Sequence, residues 1–195
     1  ESFDAFDALE DSNGNVWIAS THYGVFRYDL NGFKHFTTDN GLGHNRTMDI
    51  YEDSSGKIWI ATMGGVSLYD NDSNTFKNFT MEDGLTHNDV NDIMEDKKGM
   101  MWFATRGTIS FYNPKSGVLD APNNHEFASI TNVRSMIEDV EGNIWFGGET
   151  GIWRYGIDSL QLISSSPVNQ LFLDNTGNLW YTSGSMLSVF TKSSL

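Results

Sequence analysis

The sequence contains no cysteine, only 3 prolines and no long apolar run. The absence of cysteine excludes disulfides and thiolate metal sites, although it leaves the cellular compartment open. Few prolines combined with 19 glycines and 13% aromatic residues favour many short strands joined by glycine turns. No segment approaches the run of about 18 apolar residues that a transmembrane helix requires, so we expect a chain that does not itself span a membrane.

Positive charge is also scarce, because 12 Lys and Arg residues stand against 26 Asp and Glu residues, for a formal net charge of -14. Nucleic acids and sulfated polyanions bind clustered Lys and Arg, so the sequence predicts no nucleic-acid partner. The acidic residues are dispersed along the chain, which is typical of a solvated surface. The sequence starts at Glu1 without a secretion signal, which suggests a processed or excised segment.

Five copies of one short pattern organise the chain. In each copy Gly follows Asp by three positions and Trp follows Asp by six, with an apolar residue on each side of the Trp. The copies are Asp11 with Trp17, Asp53 with Trp59, Asp96 with Trp102, Asp139 with Trp145, and Asp174 with Trp180. Successive tryptophans are 42, 43, 43 and 35 residues apart, a period typical of propeller blades or stacked units.

Each copy of the pattern predicts a β-hairpin. Asp begins a tight turn because its side chain can accept a hydrogen bond from the backbone two residues on, and Gly at the fourth position adopts the left-handed conformation that closes the turn. The apolar-Trp-apolar triplet then forms a strand that is buried on both faces, between neighbouring sheets. We therefore expect the repeated Asp and Trp residues to have structural roles, in turns and in blade-to-blade packing.

Each repeat can be read as four strands, which in the second repeat are residues 47–52, 57–62, 66–70 and 76–80. Strands at equivalent places elsewhere are residues 25–29, 33–37, 109–113, 151–155, 160–164 and 186–190, with a less regular outer segment at 117–124. Four-stranded antiparallel units of about 40 to 45 residues are propeller blades, and no window has apolar residues at helical spacing over three turns. The predicted fold class is therefore all-β, a β-propeller of four-stranded antiparallel blades.

The predicted domain is a partial propeller over residues 1–195, with about five blades and the last one incomplete. The blades cover approximately residues 3–38, 45–81, 88–120, 131–164 and 166–195. Closed propellers carry about 4 to 8 blades, so the chain forms either a small ring with a three-stranded last blade or an arc of a larger ring. We favour the arc, since residues 1–3 offer no spare strand for the last blade. An arc leaves an apolar blade face uncovered, and such faces drive association.

Two further loops carry a resemblance to a known family. They are Asp39-Asn40-Gly41-Leu42-Gly43-His44-Asn45 and Asp83-Gly84-Leu85-Thr86-His87-Asn88. Together with the Glu-Asp-x-x-Gly-x-Ile-Trp-Ile-Ala-Thr turn and strand and the Gly-Val-x-x-Tyr-Asp strand, they make the sequence similar to the two-component regulator propeller repeat over essentially its whole length. The departures are the absence of the Gly-Leu loop before Asp139 and Asp174, and Leu173 where the other copies have Glu.

The resemblance implies a periplasmic sensor region of a hybrid two-component histidine kinase of the kind common in gut Bacteroidetes. Such regions contain seven-bladed propellers, often two in tandem, followed by an immunoglobulin-like domain, a membrane span and cytoplasmic kinase modules. Their ligands are typically breakdown products of complex glycans. The expected partners are thus an oligosaccharide or other small ligand, and the remaining blades or a second copy of the chain. This segment itself is expected to be non-enzymatic, with kinase activity elsewhere in the parent chain.

Candidate ligand-binding residues lie in loops predicted to share one face of the propeller. The loops from an outer strand to the next inner strand supply His44, Asn45, Arg46, His87, Asn88 and Asp89, and the loops between middle strands supply Thr21, His22, Tyr23, Met63, Arg106 and Glu149. Amide, imidazole, guanidinium and aromatic groups together suit a polyhydroxylated ligand. The structural alternative is that Asn45 and Asn88 brace their own loops through side-chain to backbone hydrogen bonds.

Other functions have weaker support in the sequence. No cofactor or metal is expected, because the carboxylates near His44 and His87 recur with the repeat and no His-x-x-x-His is present. Nucleophilic catalysis lacks a Gly-x-Ser-x-Gly motif. Two alternatives stay open: a propeller lyase similar to streptogramin-inactivating enzymes, with His44, His87 and Glu149 near a metal, and a protein-interaction scaffold.

Overall fold

The computed structural model describes residues 4–121, 127–156 and 159–192, and the regular secondary structure of this part is almost entirely β-strand. Its strands are β1 Ala5–Glu10, β2 Val16–Ser20, β3 Gly24–Asp29, β4 Gly32–Phe36, β5 Thr47–Glu52, β6 Ile58–Thr62, β7 Gly65–Asp70, β8 Thr75–Phe79, β9 Val90–Glu95, β10 Met101–Thr105, β11 Ile109–Asn113, β12 Val118–Asp120, β13 Val133–Glu138, β14 Ile144–Gly148, β15 Gly151–Tyr155, β16 Leu160–Ser164, β17 Gln170–Leu173, β18 Leu179–Ser183 and β19 Met186–Phe190. Three single 3-10 turns, Thr38–Asn40, Met81–Asp83 and Phe127–Ser129, lie in the connecting loops. In the described ranges, no helix has the length and apolar character to cross a membrane.

The strands form five antiparallel sheets in chain order. Four sheets have four strands, and the fifth consists of β17, β18 and β19. The inner strands β1, β5, β9, β13 and β17 contact one another in series, so the sheets are arranged as successive blades. The predicted all-β propeller is thus confirmed. Of the irregular segment predicted at 117–124, only β12 is a strand, and its last three residues, like residues 1–3, lie outside the described part.

The repeated hairpin is held by a single carboxylate. In the second blade, Oδ1 of Asp53 accepts hydrogen bonds from the backbone of Ser55 (2.9 Å) and Lys57 (3.0 Å), while Oδ2 accepts from Nε1–H of Trp59 (2.8 Å). Gly56 closes the turn with φ of 80°. The equivalent Trp-to-Asp bond is present in all five blades. The six-residue spacing therefore satisfies the only polar group of an indole that the blades bury.

The indoles fill the seams between blades. The side chains of Trp17, Trp59 and Trp145 are at most 2% exposed, and that of Trp102 is 7% exposed. Each contacts aromatic or apolar side chains of the next blade; Trp59, for example, lies 5.4 Å from the ring of Tyr112. Aromatic burial of this kind dominates core energetics.

The two ends of the blades differ. The lower face is the end that carries the Asp-to-Gly turns. The upper face is the opposite end, which carries the loops between the second and third strands of each blade and the loops from each outer strand to the next inner strand. At the lower face, the last residue of an inner strand joins the preceding blade. Glu52 accepts from the backbone of Ser12 (2.8 Å), Glu95 from Ser54 (2.6 Å), and Glu138 from Lys97 (2.9 Å). Three successive seams are thus closed in the same way.

Replacing Glu95 by Leu should lower the free energy of unfolding by about 1 kcal/mol, because the backbone N–H and hydroxyl of Ser54 lose their carboxylate partner. Chemical denaturation with urea measures the change. Glu10→Leu is the matched control, since Glu10 ends the inner strand of the first blade and has no preceding described blade to join. An equal loss in both variants would contradict a role for the seam.

Candidate ligand site at the upper face

Two upper-face loops have the same internal construction. In the first, Thr37 caps the 3-10 turn Thr38–Asn40, and Leu42 buries its side chain between the first and second blades. Thr80, Met81–Asp83 and Leu85 repeat this arrangement between the second and third blades. The buried leucine anchors each loop and so holds the following residues, which include His44 and His87, at the upper face.

His44 and His87 use one ring nitrogen to hold their own loops. Nδ1 of His44 accepts from the backbone N–H of Arg46, and Nδ1 of His87 accepts from that of Asp89, both at 2.9 Å. A neutral imidazole that accepts at Nδ1 carries its proton on Nε2. Each ring therefore has an Nε2–H donor that this loop bond does not use.

Asn45 and Asn88 brace the loops in which they lie. Oδ1 of Asn45 accepts from the backbone N–H of Thr38, and Oδ1 of Asn88 accepts from that of Met81, both at 2.8 Å. These are the side-chain to backbone bonds of the structural alternative. Their amide oxygens are consequently engaged in loop structure.

The loops between middle strands bring only some of the predicted residues together. Nη1 of Arg106 lies 3.5 Å from Oδ2 of Asp89, and Nδ1 of His87 lies 3.9 Å from Oδ1 of the same carboxylate. Glu149 accepts from the side-chain amide of Asn132 at 3.1 Å, in the next blade along. His87, Asp89 and Arg106 thus form a polar cluster on the third blade, and a backbone hydrogen bond from Asn132 to Arg106 (3.1 Å) joins the fourth blade to it.

The remaining predicted residues lie apart from that cluster. His22 and Tyr23 belong to the first blade, where Nδ1 of His22 lies 2.8 Å from Oγ1 of Thr21 and Tyr23 is 52% exposed. Across the described ranges, no three or more His, Cys, Asp or Glu side chains are grouped so as to hold a metal ion. His44, His87 and Glu149, the residues of the lyase alternative, accordingly do not form such a group.

The structure adds a set of carboxylates that the sequence interpretation missed. Asp7, Asp49 and Asp92 each lie on an inner strand, and each accepts a hydrogen bond from the backbone of the next inner strand. The donors are Ile50 at 3.1 Å, Ile93 at 2.8 Å and Met136 at 2.5 Å, respectively. In the fourth blade the neutral Ser135 makes the equivalent bond to Leu171 at 3.1 Å. These bonds join the blades around the centre of the propeller.

A β-bulge interrupts four of the five inner strands near the upper face, whereas the pairing of β17 with β18 is regular. The pairing of β5 with β6 skips Met48, and equivalent skips occur at Phe6, Asn91 and Arg134. A bulge leaves one residue unpaired and redirects its side chain. All four skipped residues line one central cavity.

The cavity has a volume of about 400 Å³ and lies at the upper end of the inner strands. Its lining consists of the four skipped residues with Asp7, Asp49, Asp92, Asn132, Asn169 and Gln170. Arg134 donates from Nη1 to Oδ1 of Asn169 at 2.7 Å. Carboxylates, amides and one guanidinium thus converge on a space large enough for a small polar molecule.

The carboxylates of Asp49 and Asp92 are strongly perturbed. Burial raises the pKa of Asp49 well above its ordinary value, and the charges of Asp92 and Asp7 raise it further. Burial likewise raises the pKa of Asp92 to about 7, although the hydrogen bonds that it accepts oppose the shift. The interaction between the two side chains raises the pKa of Asp49 and lowers that of Asp92, so Asp49 is the member of the pair that favours the protonated form.

A spacing in the sequence could have identified this set. The inner-strand acceptors precede each turn Asp by four positions. A second set of cavity-lining residues precedes it by five positions: Phe6, Met48, Asn91, Arg134 and Asn169. The residue at this position is Asp, Asp, Asp, Ser and Gln in the five repeats, and is thus polar each time. A recurring polar residue in a buried strand predicts a hydrogen-bonded partner.

Comparisons with known proteins agree with this fold. Residues 41–64, 84–107 and 129–150 match the family model of the two component regulator propeller. The chain therefore carries two-component regulator propeller repeats, as the sequence resemblance predicts. No curated protein sequence matches the chain.

Solved structures with similar folds come from several proteins. A structure described as the extracellular domain of a hybrid two component system from B. thetaiotaomicron has a TM-score of 0.82 and 28% sequence identity. The match covers 98% of this chain and 28% of that chain, so the present chain spans little more than a quarter of its length. A virginiamycin B lyase from Staphylococcus aureus has a TM-score of 0.71 at 16% identity, with 97% of this chain and 67% of that chain covered. The second likeness concerns the fold alone.

Proposed function

We propose that the chain is a ligand-recognition segment of the extracytoplasmic, periplasmic sensor region of a hybrid two-component histidine kinase, and an arc of a larger, seven-bladed propeller. The observation that carries the proposal is the set of two-component regulator propeller repeats, together with a polar cavity where their inner strands meet. The likeness to an extracellular domain of such a system supports the same assignment. On this proposal the segment performs no catalysis, and a kinase elsewhere in the parent protein responds to it.

The ligand that suits the upper face is a small polyhydroxylated molecule, such as a glycan breakdown product. Hydroxyl groups both donate and accept, and the cavity presents carboxylate acceptors beside amide groups and Arg134, which supply donors. The polar cluster of His87, Asp89 and Arg106 adds further donors and acceptors at the same face. Carbohydrate recognition requires this mixture of groups at a concave site.

Binding at this place would act on several blades at once. The cavity lining comes from all five inner strands and their preceding loops, and hydrogen bonds from one inner strand to the next join those strands in series. A ligand that contacts Arg134 and Asn91, for example, bridges the third and fourth blades. Such a ligand can favour one arrangement of the blades over another, which is the requirement for passing a signal onward.

The Arg134→Gln variant tests the proposed site. We expect at least tenfold weaker binding of the oligosaccharide that binds the unmodified protein, because the only guanidinium of the cavity is lost and Asn169 loses its partner. A glycan array on the complete propeller selects the oligosaccharide, and isothermal titration calorimetry measures its affinity. Lys98→Gln, which removes a positive charge at the lower face, is the matched control and should leave the affinity unchanged.

Four results would contradict the proposal. The first is that no oligosaccharide binds, and the second is that deletion of the propeller leaves signalling unchanged. Recovery of a stable protein partner that binds the upper face regardless of sugars would favour the interaction scaffold instead. A divalent metal retained by the purified protein through His44, His87 and Glu149 would favour the lyase alternative.

A further inference from the structure

The fourth seam of the propeller lacks the Glu-to-backbone contact that closes the first three seams. In those seams a Glu at the end of an inner strand accepts from the backbone of the residue after the turn Asp of the preceding blade. In the fourth seam the equivalent residues are Leu173 and Val140. Leu173 has no acceptor to offer, and within the described ranges the backbone N–H of Val140 has no hydrogen-bond partner.

A cavity of about 430 Å³ lies at this point of the lower face. Its floor is apolar, because Leu173 and the indole of Trp145 pack in the same cluster and both line the space. Around it are three cationic side chains, Lys97, Arg154 and Lys192, and four carboxylates, Glu138, Asp139, Glu141 and Asp174. It lies at the opposite end of the blades from the upper-face site, and nothing in the proposed sensor function uses it.

Each of the four carboxylates around this cavity already has a donor or a cationic partner, whereas Lys97 and Arg154 donate to neutral oxygens. Arg154 stacks its guanidinium 5.6 Å from the centre of the Trp145 ring and donates to the neutral amide oxygen of Gln161 at 2.9 Å. Lys192 lies 3.8 Å from Glu141, and both side chains are more than half exposed, so this ion pair can open at little cost. The carboxylate of Asp139 is occupied by its own turn and by the indole N–H.

We propose that this seam cavity binds a small carboxylate with an apolar or aromatic body. The carboxylate takes the place that the Glu side chain occupies in the other three seams and accepts from the backbone N–H of Val140. The body lies on Leu173 and Trp145, where the other seams have the methylene groups of Glu. The carboxylate of Glu95, which accepts hydrogen bonds from the backbone N–H and the hydroxyl of Ser54, shows the geometry expected for the carboxylate of the ligand.

Phenylacetate is a suitable probe, and phenylacetamide is its neutral counterpart of the same shape. In a titration of the intact isotopically labelled chain followed by NMR, phenylacetate should shift the backbone amide of Val140 and the indole N–H of Trp145. The indoles of Trp59 and Trp102 lie in seams that are closed by Glu, so their N–H signals serve as internal controls and should not shift. Phenylacetamide should bind at least tenfold more weakly.

Two variants distinguish the specific carboxylate contact from non-specific association. Val140→Pro removes the N–H but suits the second position of a turn, and Val140 is 76% exposed, so the fold should tolerate it. We expect it to weaken phenylacetate binding at least tenfold, whereas Val140→Ala should bind as the unmodified chain does. Leu173→Glu restores the repeat and should abolish binding.

Binding that survives both Val140→Pro and Leu173→Glu would overturn the proposal, and so would equal binding of phenylacetamide. Equal shifts of all the indole signals would do the same, since they would indicate non-specific association. If Val140→Pro does not fold, the Leu173→Glu variant alone decides, because it fills the site with the residue that the other seams already contain.

Discussion

The Trp59→Ala variant should lose about 3–5 kcal/mol of unfolding free energy, the largest effect that we expect from a single substitution in this chain. Trp59 is 1% exposed and contacts Phe79 of its own blade and Phe103 and Tyr112 of the next. Its removal leaves a cavity in the seam that two rigid sheets cannot close. It also leaves Oδ2 of Asp53 without its indole donor.

The chain contains a matched control for this substitution. Trp180 donates the same hydrogen bond to Asp174, at 2.9 Å, but its ring is only half-buried because no further described blade packs on that side. Trp180→Ala should therefore cost about 1–2 kcal/mol, mainly the hydrogen bond and a partial loss of burial. Urea denaturation of both variants measures the difference. Equal costs would show that the hairpin, rather than the seam, determines the contribution of the tryptophan.

The Asp49→Asn variant should be more stable than the unmodified chain at pH 8, by about 2 kcal/mol. Asn keeps an oxygen that can accept from the backbone of Ile93, as Asp49 does at 2.8 Å, and its NH₂ group can donate to Asp92 as the protonated carboxyl does. It therefore reproduces the protonated state without a titratable proton. Ser135 shows that a neutral acceptor is compatible with this position.

The sign of the pH dependence follows from the direction of the shifts. Burial, with repulsion from neighbouring carboxylates, raises the folded-state pKa of Asp49 and Asp92. Their contribution to stability is thus fully present below the unfolded-state pKa of about 3.9 and is lost as the pH rises through the folded-state value, about 7 for Asp92. Between pH 4 and 8 the unmodified chain should lose stability, and Asp49→Asn should lose much less.

The repeated turn carboxylates have lowered pKa values, so they affect the pH dependence of stability in the opposite direction and determine it at acid pH. For Asp53, burial would raise the pKa, but the hydrogen bonds from Ser55, Trp59 and the backbone outweigh it and the pKa is lowered. A carboxylate with a lowered pKa contributes stability to the fold at pH values above its unfolded-state pKa. That contribution is lost as the pH falls through its folded-state pKa. The acid limb should therefore be the same in Asp49→Asn and in the unmodified chain.

Urea denaturation at pH 4, 6 and 8 tests these expectations. Asp49→Ala is the informative companion, because it removes the charge but leaves the N–H of Ile93 with only the longer bond to Oδ1 of Asp92 (3.1 Å), and it should be less stable than Asp49→Asn by about 1–3 kcal/mol at every pH. If Asp49→Asn has the same pH profile as the unmodified chain, the raised pKa of Asp49 is refuted.

Much of the fold could be predicted from the sequence because its units are local. The spacing of Asp53, Gly56 and Trp59 encodes one hairpin, and five copies of it encode the blades. The predicted bounds of the second blade agree with β5 to β8 within a residue or two for the same reason. Alternation and turn chemistry operate over a few residues and need no knowledge of neighbouring sheets.

The candidate site was less accessible to such reasoning. The loop residues His44 and His87 could be located from their motif, and the bonds by which Asn45 and Asn88 brace their own loops were foreseen as the structural alternative. The bonds that engage the Nδ1 atoms of the two histidines were not foreseen. The central cavity was missed because its residues come from five strands separated by some forty positions each. A bulge, which no pattern of alternation reveals, directs those side chains inward.

By itself the sequence determined the hairpin, the blade, the order of the blades and the family of the repeat, since each depends on residues close together in the chain. Only the tertiary structure decided that Trp180, unlike Trp59, is half-buried, that burial raises the pKa of Asp49 and of Asp92, and that the fourth seam is open at Leu173. These features depend on the distance between one sheet and the next. That distance is set by side-chain packing across the seams, which acts between residues far apart in the chain.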